Sequence, residues 1–397
     1  MTIKVAELFA GVGGFRLGLD RAGGFETVWA NQWEPPGTEG KQFAWRCYES
    51  HFGEGSCVNE DIAVVLDQVE AGAREIPDFD MLVGGFPCQD YSVAKPAPKA
   101  KGIEGGKGVL WWQIYRLLEM RRPTHVLLEN VDRLLKSPTA QRGRDFAIIL
   151  SCLHKLGYVA EWRVINAADY GMPQRRRRVY IYATLGGRRL LGSLDWAFPC
   201  LTVEGEEVHE HDVSGEPWEI SKSWPALKVS PWQNGGLMDE EGRVFTSKVE
   251  AVYDGPRTAL ADIRVPDSEV PDSFFIDRDD IPKWEAQRAS KKIERTTRDG
   301  FTYTYSEGAM AWPDPLDKPA RTILTGEGGK GASRMKHAIC AEDGRIRRLV
   351  PDELDMIQMF PKGWTRGMSD NQRAFCMGNA LVVGVVERIG KAIIKDR

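Results

Sequence analysis

Long hydrophobic segments are missing from this chain. No run of about 18 apolar residues occurs, so no membrane-spanning helix is expected. The N-terminal segment 1–7 leads directly into a strand-like sequence, without the charged start and apolar core of a secretion signal. Both absences argue against a membrane or secreted protein, and we expect a cytoplasmic one.

Cysteine pairs of the kind that bind metals or form disulfide frameworks are also missing. The seven cysteines are an odd number, and none lies in a CxxC pair. A disulfide scaffold and a zinc site are therefore disfavoured, no metal is expected, and a reducing cytosol fits best. The cysteines are Cys47, Cys57, Cys88, Cys152, Cys200, Cys340 and Cys376.

An excess of positive charge is absent too, because the formal net charge is -4. With 42% hydrophobic and 28% charged residues, the chain has the composition of a soluble globular protein with a real core. A nucleic-acid-binding function would then require clustered cations. Two clusters exist, one formed by Arg175, Arg176, Arg177 and Arg178 and the other by Arg345, Arg347 and Arg348.

Strand and helix patterns alternate over roughly the first 185 residues. Such alternation predicts an α/β fold with a doubly wound, mostly parallel sheet and helices on both faces. The predicted strands cover 5–9, 27–30, 81–83, 124–128 and 179–183, and the predicted helices cover 15–21, 109–120 and 146–156.

The sequence changes character after Gly186 and Gly187. From there to about residue 315 it is rich in Pro, Gly, Trp and charge, with short apolar pieces and no long helical period. We predict a second, smaller and irregular domain, whose loops suit variable recognition. The predicted domains are 1–186 with 371–397, where one or two helices return, and 187–370, with a variable core at about 187–315.

A glycine-rich turn at residues 9–15 follows the first strand and opens a helix, which allows a ligand close to the backbone. The turn lacks the complete GxGxxG spacing and no P-loop lysine follows, which disfavours a dinucleotide and ATP. Gln32, Trp33 and Glu34 stand at the end of the second strand. An acidic group at this position could hydrogen-bond the hydroxyls of a ribose, and the ring of Trp33 could stack on adenine. Asp61 could bind the adenine amino group. A plain structural turn is the alternative, but these partners favour a nucleoside cofactor.

Pro87 and Cys88 follow the apolar run 80–86 in a glycine-rich turn at the end of a predicted strand. Ligands of open α/β sheets bind at such strand ends. A lone cysteine is usually buried and inert, but this position suits a nucleophile. The thiolate is the reactive form, so the thiol must have a lowered pKa or lose its proton as it attacks.

Two further groups are expected at the same edge of the sheet. Glu129 ends the next strand; it either faces water or, if buried and protonated, donates to a ring nitrogen. The arginine run 175–178 starts a strand and could reach the site. The alternative interpretation of the run is a solvated basic turn on the surface. Strand alternation sends Arg176 and Arg178 to one face and the two intervening arginines to the other.

The chain resembles the DNA (cytosine-5) methyltransferase family in six motifs that follow one another in the family's order, and the likeness covers nearly the whole chain. The family's fold is that of class I S-adenosylmethionine-dependent methyltransferases, with a smaller irregular target-recognition domain; residues 187–370 would form the latter. The motifs are at 9–14, 85–89, 129–131, 174–178, 321–324 and 378–380.

The resemblance implies that S-adenosyl-L-methionine is the cofactor and that Cys88 attacks C6 of a cytosine flipped out of double-stranded DNA. The implied catalytic residues are Cys88, Glu129, Arg176 and Arg178. The implied cofactor-binding residues are Phe9, Ala10, Gly11, Gly13, Gly14, Phe15, Gln32, Trp33, Glu34, Asp61, Ile62, Gly84, Pro87, Asn379 and Ala380. The implied DNA contacts are Gln89, Ser92, Arg175, Arg177 and Arg321.

The sequence departs from the family's pattern at two positions. Gln32 stands where an acid is frequent, so either Gln32 or Glu34 holds the ribose. Ala380 stands where a serine is frequent, so its hydroxyl contact is missing. The family implies a monomer that acts at the nucleoid, with or without a separate restriction endonuclease.

Two other functions fit parts of the sequence. RNA cytosine-5 methylation uses the same chemistry, but RNA-directed relatives have a reduced recognition region, and the segment 187–315 is long. A non-catalytic, cofactor-sensing DNA-binding protein would have no use for Cys88 together with Glu129, Arg176 and Arg178.

Overall fold

A computed structural model describes residues 2–34, 42–86, 109–186, 193–296 and 302–395. Of the predicted site residues, Pro87, Cys88, Gln89 and Ser92 lie outside these ranges. The chain divides into two compact units. The first comprises Met1–Gly171, Arg176–Pro256 and Leu381–Arg397, and the second comprises Met172–Arg175 and Arg257–Ala380.

A nine-stranded sheet organises the first unit, in the order β2-β1-β3-β4-β6-β5-β9-β10-β8. The strands from β2 to β4 in this order are parallel, and the later pairs are antiparallel. The bounds are β1 (Ile3–Leu8), β2 (Phe25–Asn31), β3 (Met81–Gly85), β4 (His125–Val131), β5 (Tyr158–Asn166), β6 (Arg177–Leu185), β7 (Cys200–Thr202), β8 (His209–Asp212), β9 (Gly235–Met238), β10 (Arg243–Ser247) and β11 (Val249–Ala251).

Helices cover both faces of this sheet. Alternate strand residues such as Leu8, Leu82 and Leu128 share one core with α3, α4 and α5, and the intervening Val83 and Leu127 are fully buried too. Helix α1 packs against α12 elsewhere in the unit. The α/β doubly wound class is thus confirmed. The helices are α1 (Gly14–Ala22), α2 (Phe43–Phe52), α3 (Ile62–Glu70), α4 (Val109–Arg121), α5 (Arg144–Lys155), α6 (Ser193–Ala197), α7 (Pro217–Ser223) and α12 (Val383–Lys395).

Three strands extend this sheet beyond the predicted catalytic domain. Strand β9 pairs with β5 in the register Trp162↔Gly236, and β10 and β8 follow. The ring of Trp162 meets those of Phe146 and Trp232 edge-on at centroid distances of 5.1 and 6.2 Å. We name β8, β9 and β10 the sheet extension. The first compact unit includes residues 193–256, and the predicted domain bounds of 1–186 with 371–397 and 187–370 stay a prediction.

Buried ion pairs are prominent in the second unit. Arg347, with no exposed surface, contacts Glu353 at 2.8 Å and Asp267 at 2.8 Å. The described residues of this unit form a short antiparallel pair of strands, a longer antiparallel pair and four α-helices. The bounds are α8 (Leu260–Ile263), α9 (Ile281–Arg288), β12 (Lys291–Thr296), β13 (Thr302–Glu307), β14 (Ala338–Cys340), β15 (Ile346–Arg348), α10 (Pro351–Ile357) and α11 (Asp370–Asn379).

The predicted return of helices near the C-terminus is confirmed, as α11 and α12. Ser369 caps α11 by accepting a hydrogen bond from the backbone N–H of Gln372, whose side chain bonds back to Ser369. In α12, Val386, Ile389 and Ile393 fall on one buried face. None of the helices in the described ranges is both long and apolar enough to cross a bilayer.

Candidate active site

Several strand ends meet at one edge of the sheet in the first unit. The parallel strands β1, β3 and β4 end there, with Leu8 paired to Gly84 and Gly85 paired to Glu129. Strand β6 runs in the opposite direction, so its start meets the end of β4, with Val131 opposite Arg178. The topology alone therefore brings a carboxyl and the arginine run to the same place.

Glu129 lies almost buried in this edge, with 8% of its surface exposed. Arg178 approaches it with 2.9 Å between Nε and Oε1. Burial raises the pKa of Glu129 above its ordinary value, although Arg178 and Arg176 act to lower it. Among the described residues, no donor is aligned to hydrogen-bond Oε1. A carboxyl in this state can keep its proton and donate it to a ring nitrogen.

The arginine run alternates as predicted. Arg176 and Arg178 are buried and half-buried, whereas Arg175 and Arg177 are exposed. Burial, reinforced by the nearby Arg178, lowers the pKa of Arg176 to about 9, while Glu129 acts in the opposite direction. Two guanidinium groups thus face one carboxyl inside the sheet edge, and two others face outwards.

The end of β3 is held close to this cluster. A Cβ atom added at Gly85 would lie 3.1 Å from Oε2 of Glu129, so a larger residue there would displace the carboxyl. Asn130 donates a hydrogen bond of 2.9 Å from its Nδ2 to the carbonyl of Phe86. Phe86 immediately precedes Pro87 in the sequence, so the described chain reaches the sheet edge one residue before the predicted Pro-Cys motif.

The glycine turn lies next to this edge. Gly13 has a φ of +87° and caps α1, and a Cβ atom added there would overlap the ring of Phe52. Phe15 reaches back towards β3, with its Cε2 atom 3.9 Å from the position of a Cβ at Gly85. The turn and the carboxyl cluster are therefore neighbours within the first unit.

Gln32 braces the glycine turn from the second strand. Its Oε1 accepts a hydrogen bond of 2.8 Å from the N–H of Gly11, and only 8% of the residue is exposed. Its Nε2 donates to Oε1 of Glu34 at 3.3 Å. Glu34 and Trp33 are half-buried, and burial raises the pKa of Glu34. A carboxylate beside a glycine turn can accept hydrogen bonds from the ribose hydroxyls of a nucleoside.

Other predicted cofactor residues have structural contacts of their own. Asp61 caps α3, since its Oδ1 accepts a hydrogen bond of 2.9 Å from the N–H of Ala63. Ile62 is 3% exposed and belongs to the core, and Gly84 lies against the carbonyl of Leu8. Asn379 and Ala380 lie at the end of α11 in the second unit. Contact of these residues with the cofactor stays a prediction.

Arg321 lies within the second unit in an ion pair, and its contact with DNA stays a prediction. Its Nε is 2.7 Å from Oδ1 of Asp314, which also binds the buried Arg288 at 3.0 Å. Burial alone would raise the pKa of Asp314, but hydrogen bonds from both arginines and the nearby His337 hold it well below its usual range.

One buried acid beneath the glycine turn was not among the predicted site residues. Glu7, on β1, has no exposed surface and accepts a hydrogen bond of 3.0 Å from the hydroxyl of Tyr48. Burial raises its pKa to about 8, although Tyr48 and Arg16 act to lower it. The only sequence signal was one acid among the apolar residues of the predicted strand 5–9. In the described ranges, no group of three or more His, Cys, Asp or Glu residues is arranged to hold a metal.

Comparisons with known proteins agree with one another. A family model described as C-5 cytosine-specific DNA methylase matches residues 3–395. Type II methyltransferase M.Sau3AI of Staphylococcus aureus is 44% identical, covering 99% of this chain and 96% of the relative. Type II methyltransferase M.SsoII of Shigella sonnei is 34% identical, covering 98% and 80%. The fold also resembles Dnmt2 methyltransferase of S. pombe, with a TM-score of 0.60 at 13% identity over 100% and 99% of the two chains.

Proposed function

The chain belongs to the family of C-5 cytosine-specific DNA methylases, and on that premise we propose that it transfers a methyl group from S-adenosyl-L-methionine to C5 of a cytosine in a specific duplex DNA sequence. The observation that supports this most directly is the buried Glu129 beside Arg178 and Arg176, one strand away from the end of β3. Cytosine chemistry needs such an acid, because C5 becomes nucleophilic only after a thiolate adds to C6, and protonation or hydrogen bonding at N3 stabilises that adduct.

The nucleophile in this proposal is Cys88, two residues beyond Phe86. Its thiolate sulfur forms a bond to C6 of the flipped-out cytosine, and the electron pair of the C5–C6 double bond moves towards C5 and N3. With S-adenosyl-L-methionine bound, C5 would form a bond to its methyl group, and the methyl–sulfur bond would break to leave S-adenosyl-L-homocysteine. Loss of the C5 proton to a base restores the double bond, and the sulfur leaves as a thiolate.

Glu129 donates to N3 of the base in this scheme, and the two arginines support it. The raised pKa of Glu129 suits a donor, since an ordinary glutamate would be ionised near neutral pH. Arg176 contacts the carbonyl oxygen of the base, and Arg178 fixes the orientation of the Glu129 carboxyl through their 2.9 Å contact. The exposed Arg175 and Arg177 contact DNA phosphates.

The cofactor is held by residues around the glycine turn. We assign the ribose contact to Glu34, because the side chain of Gln32 is already bonded to the N–H of Gly11. Trp33 stacks on the adenine ring, and Asp61 binds its amino group. Asn379 and Ala380 stay predicted contacts of the cofactor.

The proposed biological setting follows from the relatives named type II methyltransferases. The protein would protect DNA at a specific site, either beside a separate restriction endonuclease or alone. Gln89, Ser92 and residues 187–370 supply DNA contacts in this proposal, and the protein works as a monomer in the cytoplasm, at the nucleoid.

Covalent trapping tests the proposal. The protein is incubated with S-adenosyl-L-methionine and duplex DNA containing 5-fluorocytosine, whose fluorine blocks the final elimination. We expect a denaturation-resistant protein–DNA adduct, none with Cys88→Ala, and an undiminished one with the control Cys340→Ala. A Cys88→Ala variant that still methylates ordinary duplex DNA would overturn the assignment. Methyl transfer to transfer RNA but not to duplex DNA would favour the RNA enzyme instead.

A further inference from the structure

An antiparallel ribbon in the second unit is formed by β12 and β13, residues 291–296 and 302–307. We propose that one face of this ribbon reads the base edges of duplex DNA in the major groove. The inference rests on the proposed function. It assigns the recognition of the DNA sequence to this one ribbon, whereas the proposed function assigns it to the whole segment 187–370.

The side chains of the ribbon that the structure describes lie on the surface. Every described side chain from Lys292 to Thr296 is exposed, and so are those of Thr302, Thr304 and Ser306. Within the described part of the chain, each of its strands forms a ladder only with the other. Two strands alone are marginally stable in water, so a ribbon exposed in this way is suited to a surface that covers it.

A polar face is formed by alternate residues of the ribbon. In the register of the ribbon, Lys292 pairs with Ser306, Glu294 with Thr304 and Thr296 with Thr302, and directly opposed residues point to the same side. Hydroxyls, one ammonium and one carboxylate line this side, and it carries no apolar residue. The other side carries Ile293, which is 45% exposed. We name the first side the reading face.

These side chains match the chemistry of base edges. The major groove admits a two-stranded ribbon, and each base pair presents a distinct pattern of donors and acceptors there. Lysine donates to guanine, a carboxylate accepts from the amino group of cytosine, and threonine contacts either an acceptor or the thymine methyl. The reading face offers one lysine, one glutamate and three threonines.

The base of the ribbon is firmly anchored, which a reading element requires. Arg334 donates to the carbonyls of Gln287 at 3.0 Å and Ala289 at 2.9 Å, and it contacts Glu307 at 3.2 Å. It therefore joins the entry of one strand to the exit of the other. Arg288, 2% exposed, fixes the same end through its ion pair with Asp314.

Charge identifies nucleic acid as the occupant. Residues 281–336, which contain the ribbon and its anchors, hold eleven Lys and Arg against seven Asp and Glu, a net charge of +4. Residues 193–256 hold thirteen acids against four Lys and Arg, a net charge of -9, although they belong to the same predicted recognition domain. In a chain with a net charge of -4, the ribbon lies in the segment that phosphates would attract.

The test compares methylation patterns on a duplex library that presents cytosine in randomised flanking sequence. The protein and its Lys292→Ala, Glu294→Ala and Thr304→Ala variants are incubated with S-adenosyl-L-methionine, and methylated cytosines are read by bisulfite sequencing. We expect each variant to methylate the preferred site about ten- to hundredfold more slowly and to lose discrimination at one flanking position. Affinity for the cofactor stays unchanged.

Ile293→Ala is the matched control on the opposite side and should leave the pattern unchanged. An unaltered pattern in all three reading-face variants would overturn the proposal while leaving the methyltransferase function intact. A pattern altered only by Ile293→Ala would overturn the choice of face. The protein could instead dimerise as its concentration rises, with all three variants abolishing the dimer and leaving the methylated DNA sequence unchanged. That result would show that a second copy of the chain covers the ribbon and would overturn the proposal. Failure of the unaltered protein to methylate any DNA would refute the proposed function itself.

Discussion

The protonation state of single buried carboxyls governs the proposed chemistry. Glu129 lies within 2.9 Å of one arginine and close to another, yet burial outweighs both and raises its pKa. An exposed glutamate beside two arginines would have a lowered pKa and would not donate a proton. The burial of this residue is therefore as important to the mechanism as its identity.

Replacing Glu129 by Gln tests this interpretation. The amide keeps the shape but cannot transfer a proton, so we expect methyl transfer to slow by about a hundredfold to ten-thousandfold. Binding of S-adenosyl-L-methionine, measured by calorimetry, should not change. Glu119→Gln, at an exposed position of α4, is the control and should retain full activity. Loss of cofactor binding in Glu129→Gln would contradict the assigned role.

Glu7 should make stability depend on pH. Its pKa is about 8 in the folded protein and near 4.5 when unfolded, so the folded state holds an extra proton between these values. The free energy of unfolding should fall as pH rises through this window, by about 1 kcal/mol per unit from this group. Glu7→Gln should remove that contribution in urea melts at several pH values. Glu26→Gln, exposed on β2, should keep the slope of the unaltered protein.

The sequence predicts residue positions better than residue environments. The inward and outward alternation of Arg175 to Arg178 follows from strand geometry and is present. The pairing of Gln32 with Gly11 and the burial of Glu7 under Tyr48 depend on contacts across 21 and 41 residues of chain, which a local pattern cannot reveal.

At the scale of elements, an aromatic cluster decides where the sheet ends. Trp232 stacks on Trp224 at 5.8 Å and meets Phe146 edge-on at 5.8 Å. Its Nε1 also donates to the carbonyl of Gly143 at 2.6 Å. The segment that follows α7 is thereby fixed against α5, and β9 can pair with β5.

Trp232→Ala should therefore be severely destabilising. Removing a buried tryptophan that is 3% exposed leaves a cavity and an unpaired carbonyl, and we expect a loss of about 3–5 kcal/mol in the free energy of unfolding. Chemical denaturation followed by circular dichroism measures it. Trp218→Ala, where the residue is 41% exposed, should cost less than about 1 kcal/mol. Similar losses in both variants would refute the importance of the cluster.

The elements predicted from the sequence form, but some others were missed, including β5 with nine residues and α2 with ten. The helix expected at 109–120 is α4 (Val109–Arg121), and the strand expected at 124–128 is β4 (His125–Val131). Strands of the sheet extension span only four or five residues, and Gly235 and Gly236 occupy half of β9. Such short strands form because the sheet already offers an edge for pairing. Their own sequence therefore lacks a clear strand pattern. The antiparallel direction of β5 and β6 likewise follows from a short link without a crossover helix.

Charge is distributed unevenly over the whole molecule. The segment 193–256 carries a net charge of -9 and the segment 281–336 one of +4. Fields of this size act beyond contact distance and are screened by salt within about 10 Å at 0.1 M. The acidic segment should therefore weaken binding to DNA of unrelated sequence.

Neutralising acids in that segment should strengthen such binding. For a variant with Glu204→Gln, Glu207→Gln and Glu210→Gln, we expect roughly twofold to tenfold tighter binding to non-target duplex at low salt. The difference should vanish as salt is raised, and fluorescence anisotropy measures both. All three side chains are exposed, so folding should not suffer. Val208→Thr, in the same segment, keeps the charge and should bind like the unaltered protein.

The anchoring of the β12–β13 ribbon at one end has an evolutionary consequence. Residues 292–296, 302, 304 and 306 can change without disturbing a packed interior, because their side chains are exposed and the contacts of Arg334 lie at the base. A lineage could thus acquire a new target site by exchanging one short cassette, while the catalytic unit is inherited unaltered. Diversification of sites would then require few mutations and little loss of stability at each step.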